Sequence, residues 1–329
     1  MVDPRKNHCS PFRSIPRTVV PSSLPHVKIR IGYGLGTRTF TNDPVRFDPF
    51  VDALESLGFD SLWLSERIGA DCPDPVVGLA YAAGRTRRLK LGMSVMVLPG
   101  RNPALVAKEL ASLDRLSGGR LLPAFGLGIA DRHEQMAFGV ERTERAAIFD
   151  ESLAVVRRIW NGEHVDHQGP HFTYHDLRVG PPPTDGALDV WLGGAAPSEL
   201  RRVGRLGDGW LPSFCTPAQA RDGWERIELT AAENGRRIDP EHFGALIPYT
   251  LGPGGDTELP APVRKLLDRR APGVEPFEVV AAGWDGLARR IEEFTALGAS
   301  KFVPVPIGEP DDWHSELEGV ARTVLPLQT

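Results

Sequence analysis

The 329-residue sequence predicts an α/β fold, and within that class a (β/α)8 barrel of the TIM type. Short, continuously apolar runs alternate along the chain with longer segments of helical periodicity. This alternation is expected for a parallel sheet that helices cover. Roughly eight such units follow one another, which favours a closed barrel over an open doubly wound sheet. Several helices also open on one recurring step, a small polar residue followed by proline.

The first elements follow directly from that pattern. Residues 29–33 form the first candidate strand and residues 61–65 the second. Between them, Asp48-Pro49 is predicted to open a helix, because Asp accepts from free amides at the N-cap and Pro needs no hydrogen bond at the first helical position. Gly58 is predicted to end that helix in the left-handed conformation.

The same reasoning continues along the chain. Further helices are predicted to begin at Asp74-Pro75, Asn102-Pro103, Pro197 and Thr216-Pro217, and another is predicted to end at Gly162. The remaining apolar runs are predicted strands, at residues 89–98, 121–127, 190–192, 210–211, 243–249 and 302–305.

We expect one domain over residues 27–329, preceded by a flexible arm at residues 1–26. The arm is rich in basic residues and prolines and lacks the apolar core of a secretory signal. Residues 163–188 and 251–283 break the alternation with many Pro and Gly residues. Both stretches are predicted insertions in the later connections, and they are long enough to carry function.

The composition argues against several classes of protein. The 38 Lys and Arg against 43 Asp and Glu give a net charge of −5, whereas nucleic-acid and membrane-surface binders need a basic face. No apolar run approaches the roughly 18 residues that cross a bilayer. The 3 cysteines contain no CxxC pair, which indicates a reducing compartment and predicts a cytoplasmic protein.

Two glycine-rich loops follow predicted strands, where a barrel of this kind carries its chemistry. Residues 126–131 (GLGIAD) let backbone amides approach a ligand and end in a carboxylate, although a plain turn is the alternative. Residues 193–197 (GGAAP) lead into a helix N-terminus, which favours phosphate binding. Together the loops predict a phosphorylated cofactor across the barrel mouth.

Other polar groups give weaker signals. Glu66 and Arg67 follow the second strand and could contact a ligand or form an ion pair at the rim. Four histidines lie between residues 164 and 175, but their spacing and an intervening Gly-Pro step favour a hairpin or loop surface over a metal site. The chain contains no GxSxG elbow, P-loop or HExxH motif.

An ordered series of motifs resembles the luciferase-like flavin and deazaflavin oxidoreductases. Residues 102–120 (NPALVAKELASLDRLSGGR) are similar to the signature helix of that family. LKLG at residues 89–92 precedes this segment and the GLG run follows it. WLGG at residues 191–194 is followed by RLGDGW at residues 205–210. The resemblance covers residues 29–213 and, more loosely, residues 284–303.

This resemblance implies a modified TIM barrel that binds FMN or the deazaflavin coenzyme F420, often as a homodimer. GMSVM at residues 92–96 is most similar to the F420 branch, where a non-proline cis peptide, here Ser94–Val95, supports the back of the ring. Asp131 takes the place of an acidic residue that acts on protons in deazaflavin dehydrogenases. The residues that would line the cofactor are Glu66, Ser94, Val95, Val97, Ile129, Ala130, Gly193, Gly194 and Ala195.

Two positions depart from the family pattern. Arg67 stands where many relatives have a histidine, and an arginine that is always charged cannot shuttle protons. The missing histidine argues against a sugar-phosphate dehydrogenase role. Arg67 could instead pair with an anionic group of the substrate or cofactor. Ile129-Ala130 replaces a familiar Thr-Gly pair, so a hydroxyl contact is lost.

Several functions remain open at this point. The first is an F420-dependent oxidoreductase that transfers hydride between the deazaflavin and a small organic substrate, with Asp131 and Arg67 as catalytic candidates. The second is an FMN-dependent monooxygenase that receives reduced flavin from a partner reductase and reacts with oxygen. A non-catalytic flavin-binding paralogue and a non-redox barrel for a sugar phosphate are the further alternatives.

Overall fold

The computed structural model describes residues 28–37, 43–255 and 258–329, so the predicted arm at residues 1–26 lies outside the described residues. The strands are β1 (Arg30–Ile31), β2 (Tyr33–Leu35), β3 (Ser61–Leu64), β4 (Lys90–Met93), β5 (Met96–Val97), β6 (Leu121–Leu122), β7 (Ala124–Gly126), β8 (Val165–Gln168), β9 (Thr173–Leu177), β10 (Trp191–Leu192), β11 (Gly209–Trp210), β12 (Gly244–Tyr249) and β13 (Lys301–Pro306). The helices are α1 (Pro44–Leu57), α2 (Pro75–Arg85), α3 (Pro103–Ser117), α4 (Arg132–Phe138), α5 (Arg145–Trp160), α6 (Pro197–Leu206), α7 (Pro217–Glu233), α8 (Ala261–Arg270), α9 (Pro276–Val279), α10 (Gly283–Thr295) and α11 (Trp313–Val324).

The parallel strands close into a barrel. Ladders join β2–β3–β4–β6, then β5–β7–β10–β11, and then β12–β13–β1. Isolated parallel bridges from Trp210 to Phe243 and from Ser213 to Leu246 connect β11 with β12. Because β1 and β2, β4 and β5, and β6 and β7 are each segments of one strand run, these ladders form a single closed cylinder in the described part of the chain. The predicted TIM barrel is therefore confirmed.

Two tryptophans fill the inside of this barrel. Trp63 on β3 and Trp191 on β10 are buried in one apolar cluster with small and branched side chains from the other strands. A Cβ on Gly92 would stand 2.3 Å from the Trp63 ring, and one on Gly209 would stand 2.6 Å from Trp191. The neighbouring strands need glycine at these points because the indoles occupy the space. The interior is thus a packed core, and a ligand must bind at an end of the barrel.

Helix α1 begins one turn earlier than the sequence pattern predicts. Its N-cap is Asp43, whose carboxylate accepts a hydrogen bond from the Val45 amide at 2.9 Å, and Pro49 lies inside the helix. The predicted cap, Asp48, instead accepts a hydrogen bond from the Tyr81 hydroxyl at 2.7 Å. The expectation of a start at Asp48-Pro49 is therefore wrong, because a contact with the neighbouring helix α2 engages the Asp48 carboxylate.

The other predicted helix starts are confirmed. Asp74, Asn102 and Thr216 each cap a helix whose first residue is proline. Gly58 ends α1 in the left-handed conformation, as expected. Helices α4, α9 and α11 were not predicted.

The two insertions take different forms. Residues 163–188 contain the antiparallel hairpin β8–β9, which Glu151 of α5 holds by accepting from His167 Nε2 at 2.8 Å and from the Phe172 amide at 3.0 Å. Residues 251–283 contain α8 and α9 around an apolar cluster of their own that includes Val263 and Leu267. Phe214, which follows β11, packs against this second cluster and so connects the insertion to the barrel mouth.

The opposite end of the barrel is held by a charged network. The buried carboxylate of Asp60, which precedes β3, lies 3.2 Å from Lys301 Nζ, 3.3 Å from Lys90 Nζ and 3.6 Å from Arg30 Nε. Burial works to raise the pKa of Asp60, but the charges of Lys301 and Lys90 outweigh it and lower the pKa. The network joins the amino ends of neighbouring strands and is a stabilising feature. Across the described ranges, no helix has the length and apolar character needed to span a membrane.

Candidate active site at the barrel mouth

A turn between β4 and β5 forms part of the barrel mouth. The predicted cis peptide bond between Ser94 and Val95 is present in this turn. The Ser65 hydroxyl, just after β3, lies 3.1 Å from both the carbonyl oxygen and the hydroxyl of Ser94. The Ser94 amide donates to the Leu64 carbonyl at 2.9 Å. The end of β3 therefore fixes the position of the turn.

The Val95 side chain lies across the ends of two neighbouring strands. A Cβ on Gly126, the last residue of β7, would stand 2.5 Å from Val95 Cγ2, and a Cβ on Gly193, just after β10, would stand 3.3 Å from Val95 Cγ1. The two glycines therefore make room for the Val95 side chain at the ends of these strands. Contact of a flat ligand with Val95 stays a prediction.

Glu66 is positioned by the strand that follows the cis peptide. Its nearly buried carboxylate accepts a hydrogen bond from the Val97 amide at 2.6 Å and pairs with Arg101. Burial raises the pKa of Glu66, although the Val97 amide and Arg101 act in the opposite direction. The observed contacts hold β5 against the loop after β3, and a direct contact of Glu66 with a cofactor stays a prediction.

The loop at residues 193–197 turns two backbone amides toward one oxygen. The amides of Ala195 and Ala196 donate to Oε2 of Glu199 at 3.0 and 2.9 Å. Gly194 has a φ of 91° and approaches Glu199 so closely that an added Cβ would stand 2.5 Å from the carboxylate. Glu199 at the third helical position thus accepts from the N-cap amide, as in a capping box, and phosphate binding at this loop stays a prediction. An external phosphate can use both amides only when the Glu199 carboxylate moves away.

Asp131 and Arg67 both contact Glu134. Asp131 caps α4 by accepting from the amides of His133 at 2.9 Å and Glu134 at 3.2 Å. These amide contacts, the Glu134 amide foremost, lower the pKa of Asp131, and the charge of Arg67 lowers it further. Arg67 Nε lies 3.4 Å from Glu134 Oε1. At neutral pH Asp131 is thus a carboxylate that accepts hydrogen bonds.

Ile129 and Val97 border a narrow cleft next to this group. The cleft has a volume of about 20 Å³ and is also lined by Gly128 and Arg145. Arg145 Nη1 donates to the Gly128 carbonyl at 2.9 Å and holds the GLG loop from outside. Ala130 is exposed beside it.

Two residues of the mouth, Glu134 and Arg145, are not among the residues that the sequence predicts. The buried carboxylate of Glu134 accepts from the amides of Ile68 at 3.3 Å and Gly69 at 3.2 Å, and so orders the loop that carries Arg67. The spacing of Asp131 and Glu134 is that of a capping box, which could have drawn attention to Glu134. Arg145 had no such signal, since only tertiary contacts bring it to the loop.

The histidines of residues 164–175 lie in the hairpin region rather than at the mouth. His164 Nδ1 is 3.1 Å from Asp176, and His167 pairs with Glu151. Within the ranges that the structure covers, no group of three or more His, Cys, Asp or Glu side chains is arranged to hold a metal ion.

A closed parallel barrel whose glycine-rich loops and cis peptide lie at the ends of its strands defines the (β/α)8 class of protein. The particular family is shown by its sequence model: the luciferase-like monooxygenase model matches residues 28–297, and the chain belongs to this family.

Individual relatives are more distant. The chain is 29% identical over 208 residues to the phthiodiolone/phenolphthiodiolone dimycocerosates ketoreductase of Mycobacterium bovis, with 55% of the chain and 54% of that protein covered. It is 28% identical over 217 residues to an F420-dependent glucose-6-phosphate dehydrogenase of Kineococcus radiotolerans, covering 63% of the chain and 62% of the relative. The chain thus spans about half to two thirds of the length of these curated relatives.

Solved structures show the same fold. An F420-dependent secondary alcohol dehydrogenase in complex with an F420-acetone adduct superposes with a TM-score of 0.76 at 20% identity, over 92% of this chain and all of the other. At this identity the match shows the shared barrel alone.

Proposed function

We propose that the protein is an F420-dependent oxidoreductase acting on a small organic substrate. The observation that carries the proposal is the convergence of the Ala195 and Ala196 amides on one anionic oxygen, beside the cradle of Val95, Gly126 and Gly193. A cofactor with a planar ring and a phosphate needs a place for each of these groups at the barrel mouth. The relatives and the solved structure whose names include F420 support deazaflavin over flavin.

The residues present fit the cofactor. F420, when bound, supplies hydride exchange at its deazaflavin ring. Val95 would support one face of the ring, with Ser94, Val97, Ile129 and Ala130 along its edge, while Ala195 and Ala196 would donate to the phosphate. Gly193 and Gly194 would keep that loop free of side chains. Glu66 would act by holding the Val97 amide in place.

Asp131 and Arg67 would act on the substrate. Arg67 is oriented by Glu134, and it can polarise a carbonyl or alkoxide oxygen without exchanging a proton. Asp131 has a lowered pKa and serves as a hydrogen-bond acceptor that orients a hydroxyl group. We expect this pair to position the substrate, with water excluded by the insertion at residues 251–283.

Equilibrium binding tests the cofactor assignment. The purified full chain is titrated with F420 and, separately, with FMN, and the cofactor fluorescence is followed. We expect F420 to bind and FMN to bind at least 10-fold more weakly, a difference of about 1.4 kcal/mol. Micromolar binding of FMN without binding of F420 would instead support the second candidate, an FMN-dependent monooxygenase with a partner reductase. The description of the matching family model favours that alternative.

Asp131→Asn tests the role of the carboxylate. Asparagine can still cap α4, because its side-chain oxygen accepts from the same amides. We therefore expect the Kd for F420 to stay within a factor of two of wild type and the Tm to stay within a few degrees. Turnover of an active substrate should fall at least 10-fold. Unchanged turnover would remove Asp131 from the catalytic group.

A homodimer and a cytoplasmic location complete the proposal. Four large apolar side chains are exposed on the adjacent helices α2 and α3, namely Val77 at 67%, Tyr81 at 45%, Leu105 at 61% and Leu116 at 86%. An exposed apolar face of this kind supports contact with a second copy. Light scattering on the purified protein measures the mass and distinguishes dimer from monomer.

A further inference from the structure

Arg270 reaches from the insertion toward the barrel mouth. It is the last residue of α8, and its guanidinium lies 5.8 Å from the centre of the Phe214 ring. Phe214 follows β11 at the carboxyl end of the barrel and has a φ of 54°, an uncommon conformation for a residue with a side chain. The half-buried ring is held in the apolar cluster of the insertion. A fixed aromatic face therefore supports the guanidinium.

The charges around Arg270 come from opposite sides of the mouth. Burial lowers the pKa of its guanidinium, attraction by Glu199 raises it, and repulsion by Arg67 lowers it. Arg67 follows β3, and Glu199 lies just beyond β10. The Arg270 side chain is exposed at the end of α8, and the surrounding protein still disfavours its charge. Arginine stays charged under these conditions, so a bound anion would stabilise the charged guanidinium.

The guanidinium has hydrogen-bonding capacity to spare. Among residues 28–37, 43–255 and 258–329, no carboxylate lies within ion-pair distance of Arg270 and no hydrogen bond from it is formed. Its five N–H donors are matched in geometry to a carboxylate or phosphate. By contrast, Arg67, Arg101 and Arg145 are each engaged with a protein oxygen.

We propose that Arg270, held on the face of Phe214, binds an anionic group of the substrate over the barrel mouth. The substrate class is thus an organic compound that carries a carboxylate or a phosphate in addition to the group that exchanges hydride. This inference rests on the proposed function, because it assumes that the cofactor phosphate lies at Ala195 and Ala196. The cofactor phosphate is a second anion that Arg270 could bind. The test distinguishes it from an anionic group of the substrate.

The test uses inorganic phosphate as the probe, on the full chain with and without F420. Thermal unfolding is followed in phosphate and in chloride at equal ionic strength, and the shift in Tm reports binding to the folded state. We expect phosphate to raise the Tm of the F420-loaded protein. Arg270→Met should reduce the apparent phosphate affinity at least 10-fold and leave the Kd for F420 within twofold.

Arg269→Met is the matched control. Arg269 is the preceding residue on α8 and is exposed, so its loss removes the same charge from the same helix without touching Phe214. We expect phosphate binding in this variant to stay within twofold of wild type. Arg270→Lys, which keeps the charge but not the forked donors, should give an intermediate affinity and serves as the second variant if the methionine protein does not fold.

Two results would overturn the inference, and a third would contradict the proposed function alone. Equal effects of the substitutions at positions 269 and 270 would show a general charge effect. Loss of phosphate binding once F420 is loaded, together with a weaker Kd for F420 in Arg270→Met, would assign Arg270 to the cofactor phosphate. A protein that binds no F420, but whose phosphate response still depends on Arg270, would contradict the proposed function while retaining the anion site.

Discussion

Alanine at Gly126 tests whether Val95 and the strand ends form the proposed ring cradle. The added Cβ would stand 2.5 Å from Val95 Cγ2 and 3.6 Å from Val95 Cβ. Two carbon atoms in contact normally stay about 3.5–4.0 Å apart, so the methyl group forces the Val95 side chain to move by roughly 1 Å. Gly126 does not have a positive φ. The effect is therefore one of space rather than of backbone conformation.

The expected magnitudes follow from that overlap. Overpacking of this kind costs about 1–3 kcal/mol of unfolding free energy. Because the proposed ring contact depends on the position of Val95, we also expect F420 to bind at least 10-fold more weakly, about 1.4 kcal/mol. Urea unfolding measures the first quantity, and cofactor fluorescence titration measures the second.

Gly193→Ala is the matched control on the other side of Val95. Its Cβ would stand 3.3 Å from Val95 Cγ1, a distance that a few tenths of an ångström of adjustment relieve. We expect a loss of stability below about 1 kcal/mol and a smaller change in F420 affinity than at Gly126. The double variant Gly126→Ala/Val95→Ala should regain stability because the Val95 Cγ2 methyl group that clashes is removed. The effects of the two substitutions on the unfolding free energy are then not additive. A Gly126→Ala protein as stable as wild type, with unchanged F420 affinity, would refute the cradle.

Two further predictions concern Glu199 and Asp60. Glu199→Ala should tighten F420 binding by about 5- to 150-fold, because the phosphate no longer competes with the carboxylate for two charge-assisted hydrogen bonds worth about 1–3 kcal/mol together. The Kd is measured as above with the exposed Glu225→Ala as control, and weaker binding would show that Glu199 does not compete. Asp60→Asn should lower the unfolding free energy by about 3–5 kcal/mol near neutral pH, since Lys301 loses its partner in a buried network. The pKa of Asp60 is lowered in the folded state, so its contribution is present above the ordinary pKa of about 3.9 and is lost as the pH falls through the folded value. Urea titrations from pH 7 to pH 2 should therefore show the wild-type advantage narrowing in acid, and a constant difference would contradict the assignment.

The barrel could be predicted because its strands and helices carry local signals. The runs around Trp63 and Trp191 are continuously apolar, and helix starts at Asp74, Asn102 and Thr216 combine a capping side chain with a following proline. These signals act within a few residues, so they survive in the folded protein. Where one failed, at Asp48, a contact with Tyr81 on another helix engaged the capping carboxylate.

The mouth was predictable only in part, for a related reason. Glycine-rich loops after strands can be recognised from the local sequence, which predicts residues 126–131 and 193–197 as candidate binding loops. Local pattern does not show that Glu199 turns back onto the Ala195 and Ala196 amides, because the same spacing also suits an exposed glutamate. Nor does it show that Arg145 reaches the Gly128 carbonyl, 17 positions away in the chain.

Phe214 links the barrel mouth to the insertion in a way that local pattern cannot reveal. Its backbone belongs to the end of the strand run that includes β11, while its ring packs against the apolar cluster of the insertion and supports Arg270. The position of α8 and the position of the guanidinium therefore cannot change independently. Any displacement of the insertion that separates these apolar side chains also withdraws Arg270 from the mouth. For the proposed anion site, displacement of α8 would therefore change substrate access and anion binding together.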